Sequence, residues 1–208
     1  MDINNWSAVE AARAENTWGH KLPQYTIDAF KFITEDTKSW LDLGCGFGRF
    51  LTWLDLAVTD PDYIGIDSSE EMIKRLLANH PTYETRVFAK DITLPLVHYQ
   101  QAVICSAVMI HIPVTHQNKV LQNVKAISPY KFVFDINCED LNGKDNVERF
   151  IKLTEHKFRM TWQDEDNMHG RLVKVFPNYD IEVAVYDLRA GKRKVVFFLT
   201  KQGTILGG

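Results

Sequence analysis

The chain has 208 residues, 45% of them apolar and 25% charged, with a net charge of −3. That length and balance suit one globular domain, and no apolar run is long enough to span a bilayer. The slight acidity gives no global electrostatic reason to bind nucleic acid, and three scattered cysteines, Cys45, Cys105 and Cys138, make neither a disulfide framework nor a zinc site. The opening residues are polar and carry acids, without the basic head and apolar middle of a secretory signal, so a reducing cytoplasm is the expected compartment.

The predicted elements alternate between helix and strand. Residues 8–16 read as a first helix. Residues 26–36 read as a second, with Ile27, Phe30 and Ile33 on one face. "SWLDL", residues 39–43, is an apolar strand, and residues 48–57 form a short helix. "DYIGID", 62–67, is the second strand. The helix after it has a capping box in Ser68 and Glu71 and an apolar stripe of Met72, Ile73, Leu76 and Leu77. Residues 85–90 make a third strand and 101–108 a fourth. A helix capped by Thr115 buries Val120, Leu121, Val124 and Ile127. "KFVFDIN", 131–137, is the fifth strand. The rhythm then changes: residues 179–188 and 192–201 are strands joined by "RAG", a link that permits only an antiparallel hairpin. The expected fold is α/β and Rossmann-like: a mostly parallel sheet, helices on both faces, and one antiparallel strand pair at the end.

"LDLGCGFG", residues 41–48, places Gly44, Gly46 and Gly48 between the first strand and its helix. Glycine serves where φ must be positive or where backbone must approach a partner closely. A tight turn without a ligand would use such glycines, and so would a nucleotide-binding turn. Three acids favour the second. Asp67 ends the second strand, nineteen residues after Gly48, where a carboxylate can accept bonds from both hydroxyls of a ribose. Asp91 follows the third strand, where it can accept from an adenine amino group. Asp42 stands inside the first strand, and a carboxylate there is costly unless something meets it.

Together these segments resemble class I S-adenosylmethionine-dependent methyltransferases of the small-molecule type. "LDLGCGFG" looks like their first motif, "YIGIDSSEEMI" their second, "FAKDI" their third and "AVICSAVMIHIP" their fourth. The terminal hairpin resembles the antiparallel seventh strand of that fold, and the likeness runs over roughly residues 20–200. A nicotinamide-binding fold would want G-x-G-x-x-G in place of G-x-G-x-G, and it leaves the hairpin unexplained. The resemblance implies a seven-stranded sheet in a single domain, residues 1–208. Its leading segment, 1–37, would form a lid, and 138–179 an insertion covering the substrate.

The cofactor implied is S-adenosylmethionine, with S-adenosylhomocysteine as product. Asp42 and the loop of Gly44, Cys45, Gly46 and Gly48 would hold its methionine portion. Asp67 would hold the ribose, Ser68 and Met72 would line the adenine edge, and Asp91 and Ile92 would recognise the adenine. Ser106 would face the sulfonium. Ser68 also reads as a helix cap and Met72 as core.

Methyl transfer is an in-line displacement, so the protein mainly aligns the partners and excludes water. His111, just past the fourth strand, reads either as a general base or as a histidine packed beside the cofactor. Trp18, His20 and Tyr25 in the leading segment, and Trp162 and His169 near a helix expected to be capped by Thr161, are candidates to touch the acceptor. No cysteine follows a proline, the D-P-P-Y-like signature of DNA amino-methylation is missing after the fourth strand, and no acid ends that strand to bind a metal. The basic cluster of Arg189, Lys192, Arg193 and Lys194 reads as a solvated turn; phosphate or nucleic acid is its alternative. The expected activity is methyl transfer to a small molecule. The other readings are a nucleic acid or protein acceptor, and a cofactor-binding regulator that transfers nothing.

Overall fold

In chain order the elements are α1 (Gln24–Thr34), β1 (Ser39–Leu43), α2 (Arg49–Ala57), β2 (Asp62–Asp67), α3 (Glu70–Asn79), β3 (Val87–Ala89), β4 (Ala102–Cys105), α4 (Val114–Ile127), β5 (Lys131–Cys138), β6 (Asn146–Lys152), β7 (Lys157–Gln163), α5 (Glu165–Val175), β8 (Tyr179–Asp187) and β9 (Arg193–Lys201). The structure is a computed structural model and describes residues 15–16, 23–139, 146–152, 157–188 and 192–203. The predicted helix over 8–16 falls outside these residues apart from its last two positions, and Trp18, His20 and Arg189 fall outside them too.

Strands β3, β2, β1, β4 and β5 lie side by side in that order, all parallel. β9 runs antiparallel along the whole of β5, and β8 runs antiparallel outside β9. This is the expected mostly parallel sheet with an antiparallel C-terminal pair. Among the described residues it has nine strands rather than seven. The two extra strands, β6 and β7, form an antiparallel hairpin that joins β5 in parallel where Asn137 pairs Trp162. β9 fills one edge of β5 throughout, and β4 stops at Cys105 opposite Phe134. β7 therefore takes the edge of β5 beyond the end of β4, which puts the hairpin at the carboxyl edge of the sheet.

Both faces of the central strands are buried, and the two-residue period of a strand divides their side chains between two cores. Leu41, Leu43, Val103, Phe132 and Phe134 pack with Val120 and Leu121 of α4 and Met168 and Leu172 of α5. Trp40, Ile104, Val133 and Val196 pack on the other face with Ile33, Leu51, Leu54 and Leu76. Strand order reverses between β1 and β4, so the connections leaving them diverge and open a crevice at their carboxyl ends.

Several local expectations shift. The cap of α3 is Ser69, whose hydroxyl accepts from the Met72 N–H, and Ser68 is exposed. Pro113 precedes α4 where Thr115 was expected to cap, because proline needs no N–H partner at a helix start. Thr161 lies in β7, and the helix cap is Asp164, accepting from the Asn167 N–H. The buried stripe of α1 is Thr26, Ala29 and Ile33, with Phe30 turned edge-on to Phe50 at 5.3 Å. β4 is four residues long because Ala107 takes a positive φ of 60° and turns the chain. No helix among the described residues is long and apolar enough to cross a membrane.

One buried cation ties α1 to the sheet. Lys131 opens β5, is 5% exposed, and its Nζ donates to the carbonyls of Phe32 (2.9 Å) and Glu35 (2.7 Å) at the end of α1. These are terminal helix carbonyls without intrahelical partners, and a cation there also meets the negative end of the helix dipole. Charge-assisted bonds of this kind are worth about 2 kcal/mol each. Lys131→Met keeps the apolar stem and removes both bonds. Its melting temperature is expected to fall by about 5–10 °C in a thermal denaturation scan; an unchanged value would show that water replaces the ammonium freely.

Candidate functional site

The loop after β1 has three glycines at positive φ, for two reasons. A Cβ on Gly44 would stand 2.2 Å from Val108 Cγ2, and one on Gly48 would stand 2.9 Å from Leu76 Cγ. Packing alone excludes side chains at both. A Cβ on Gly46 would meet nothing within 4 Å. At φ 55° this glycine exposes backbone to open space, as a surface for a ligand requires.

The loop's amides are almost all spoken for. The N–H groups of Gly44 and Cys45 both donate to the Ile66 carbonyl, at 2.6 and 3.1 Å, and Gly48 donates to the Cys45 carbonyl. Gly46 donates to Asp67 Oδ2 at 2.9 Å. The Cys45 side chain is buried against Gly65, so this residue offers only backbone to the loop.

Asp67 closes β2 and bridges two elements. Oδ1 accepts from the Ser69 N–H at 2.8 Å while Oδ2 holds Gly46. Burial pushes its carboxyl above the ordinary range, and the two N–H bonds pull it back. Each oxygen keeps a lone pair for a hydroxyl donor. Beside it stand exposed Ser68 and buried Met72. Across the end of β3, Asp91 Oδ1 accepts from the Thr93 N–H at 2.8 Å, and Ile92 is buried next to it.

Asp42 is buried on the α2–α3 side of β1. Its Oδ2 accepts from the Tyr63 hydroxyl at 3.0 Å. Burial pushes the carboxyl up to about 7 from 3.8, against the Tyr63 bond and the Arg49 charge, with Asp67 adding to the rise. The same burial and the neighbouring acid raise the Tyr63 phenol.

A methyltransferase-domain family matches the chain over residues 18–187. The chain belongs to the methyltransferase family. It is an S-adenosylmethionine-dependent enzyme of class I by motif, fold and family. No curated protein matches it closely enough in sequence to count. Among solved structures, a methyltransferase from Clostridium acetobutylicum ATCC 824 is 14% identical, with a TM-score of 0.64 over 93% of this chain and 98% of that one. Magnesium protoporphyrin IX methyltransferase (ChlM) from Synechocystis PCC 6803, with bound S-adenosylhomocysteine, is 17% identical, with a TM-score of 0.63 over 88% and 84%. The glycopeptide N-methyltransferase MtfA, also with S-adenosylhomocysteine, is 13% identical, with a TM-score of 0.61 over 85% and 88%. At these identities the likeness is one of fold.

The methyltransferase has a second polar cluster that its sequence did not announce. Asp135, in the middle of β5 and 2% exposed, accepts from Ser106 Oγ (3.0 Å) and from the Ala107 N–H (2.8 Å) through Oδ2, and from Lys194 Nζ (2.7 Å) through Oδ1. Lys194, 4% exposed, lies 5.4 Å from the Tyr25 ring. The predicted solvated turn is thus corrected at this residue, because an ion partner on β5 draws its ammonium inward. Lys192 and Arg149 stand over the ring of Trp162, at 5.3 and 4.9 Å, and Arg149 also pairs with Glu139. Trp162 is 3% exposed, and among the described residues its indole N–H has no partner.

The carboxyl edge of the sheet therefore brings together Asp42, the glycine loop, Asp67, Ser68, Asp91 and Ser106, with Tyr25 and Trp162 on the β5 side. His111 sits half-buried in the turn Met109–His111, its N–H on the Val108 carbonyl. His169 is half-buried on α5.

Asp42 gives a testable pH dependence. Between about pH 4 and pH 7 the native state keeps a proton that the unfolded chain has released, so stability falls as pH rises across that window and stays lower above it. The full effect is on the order of 2–4 kcal/mol. Urea midpoints measured at steps from about pH 5 to 8 are expected to drop for the wild-type chain and to flatten in Asp42→Asn, leaving the smaller slope from Asp67, which is raised in the same direction.

Proposed function

We propose that this methyltransferase methylates a small-molecule acceptor, releasing S-adenosylhomocysteine. The observation that carries the choice of acceptor is the state of the basic cluster. Among the described residues of that cluster, Lys194 is buried on Asp135 and Lys192 lies over Trp162, which draws two of its cations out of an open cationic face. The porphyrin and glycopeptide methyltransferases that share the fold act on compact acceptors, which supports the same reading. The three cysteines are buried free thiols, in keeping with a reducing cytoplasm.

The residues at the sheet edge suit the cofactor. The open face of Gly46 allows close approach of its methionine portion, and Asp67 has lone pairs for two ribose hydroxyls. Ser68 and Met72 line the adenine edge, and Asp91 and Ile92 recognise the base. Asp42 faces the ammonium, and Ser106, fixed by Asp135, stands at the sulfonium end. When bound, S-adenosylmethionine supplies a methyl carbon activated by positive sulfur. The chain's task is alignment and exclusion of water. His111 takes a proton where the acceptor is a neutral oxygen or nitrogen, and otherwise packs beside the cofactor. Residues 1–37 act as the lid: Glu15 already reaches Arg75 and Asn79 on α3, both at 3.0 Å. Tyr25, Trp162 and His169 are the candidates among the described residues to meet the acceptor, Trp18 and His20 are candidates outside them, and 138–179 is the segment that would cover it.

Calorimetric titration with S-adenosylhomocysteine and S-adenosylmethionine tests this reading. Micromolar binding is expected, weakened at least about 50-fold by Asp67→Ala, which removes two charge-assisted bonds to the ribose. A folded wild-type chain that binds neither would overturn it. The Asp42 carboxyl must ionise to pair with the cofactor's ammonium, so binding is expected to release a proton and to tighten as pH rises from about 6 to 8. Titrations in two buffers of different ionisation enthalpy would read that release, and Asp42→Asn should abolish it.

A further inference from the structure

We propose that the buried Lys194–Asp135 pair is a positioning device for the glycine loop, acting through the turn after β4. The connection runs through four contacts. Lys194 Nζ holds Asp135 Oδ1 at 2.7 Å. Asp135 Oδ2 holds Ser106 Oγ at 3.0 Å and the Ala107 N–H at 2.8 Å. Ala107 sits at φ 60°, a conformation that alanine resists, so something must fix it there. The next residue, Val108, fills the space a Cβ on Gly44 would need, with Cγ2 2.2 Å from that point. A turn that relaxed to negative φ would move Val108 off Gly44 and free the start of the loop.

The pair is also placed to sense the leading segment. Lys194 lies 5.4 Å from the Tyr25 ring, and Tyr25 meets Tyr186 edge-on at 6.1 Å. Helix α1, the start of β9, the centre of β5 and the turn after β4 thus meet at one buried charge pair. A pair retained only for stability has no need of this arrangement: replacing both members of a buried ion pair by apolar groups is often neutral for the fold. The strained alanine and its N–H bond to the carboxylate give the pair something to hold.

The test uses the full chain and the double variant Asp135→Ala/Lys194→Met, which removes both charges together and leaves neither buried alone. The first readout is amide hydrogen exchange in the loop, at Gly44, Cys45 and Gly46, which does not depend on any cofactor. Exchange at least tenfold faster than in the wild type is expected. The second readout is the dissociation constant for S-adenosylhomocysteine, which rests on the cofactor reading above and is expected to rise tenfold or more. Adding Ala107→Gly, which adopts the left-handed turn without strain, should recover at least threefold in both. Ile127→Ala serves as the control for lost stability. It is a core truncation at the end of α4, by the opposite edge of the sheet, and it should leave loop exchange and affinity within twofold of wild type. A folded double variant with wild-type loop exchange, or an Ile127→Ala chain that loosens the loop equally, would overturn the proposal. A wild-type chain that fails to bind S-adenosylhomocysteine would instead overturn the cofactor reading, and the exchange data would still decide this one.

Discussion

The Asp67 carboxylate is the point on which the crevice depends. One oxygen holds the Gly46 N–H at the crown of the glycine loop, and the other holds the Ser69 N–H at the start of α3. Without it, a loop of three glycines would have much conformational entropy and little to oppose it. With it, the connection after β1 is anchored to the connection after β2, and the two helices that follow are set at fixed places. The backbone joins in: Ile66, the residue before Asp67, accepts from both Gly44 and Cys45. A carboxylate with two N–H donors and lone pairs left over is also a hydroxyl receptor. The group that orders the loop is thus the group the family reading assigns to the ribose.

Asp67, Asp135 and Asp42 belong to strands of a sheet buried on both faces, and each meets the cost of burial differently. Asp67 uses backbone N–H groups and remains half-buried. Asp135 uses a cation, a hydroxyl and an N–H, which satisfy it without water. Asp42 has a single neutral donor, Tyr63, and responds by holding its proton up to about pH 7. The least satisfied acid is the one two residues before the glycine loop. An incoming cation changes Asp42 the most, because it supplies the partner the fold withholds.

Much of this edge is legible in the sequence because its signals are local. Glycines at alternating positions, an acid at the end of the next strand and an acid after the third all sit within a few residues of the turn they serve. The Lys194–Asp135 pair joins residues 59 positions apart, and no local pattern links them. Its trace was an acid inside the apolar run "KFVFDIN", the same anomaly that marked Asp42. The hairpin of β6 and β7 was hidden for a different reason. "NVERFIK" and "KFRMTWQ" scatter charges through both strands, so neither reads as the near-continuous apolar run that marks a strand of a parallel sheet. Cap positions slipped by one residue at Ser68 and Ser69, where two serines in succession can both serve and only the packing of Met72 and Ile73 chooses.

The switch in strand order between β1 and β4 explains why strained turns gather here. At the switch the chain leaves β1 toward one face and β4 toward the other, so neither following helix covers the ends of both. The two turns must cover each other instead. Val108 packs into Gly44, and left-handed residues stand on both sides of the contact, Gly44 at φ 78° and Ala107 at φ 60°. Glycine tolerates this alone and alanine does not, so the β4 side needs an outside support that the β1 side can do without. Asp135 supplies it from the next strand, and its own charge then requires Lys194 from the strand beyond. The buried pair follows from the topology: it is where the cost of an uncovered crevice is met.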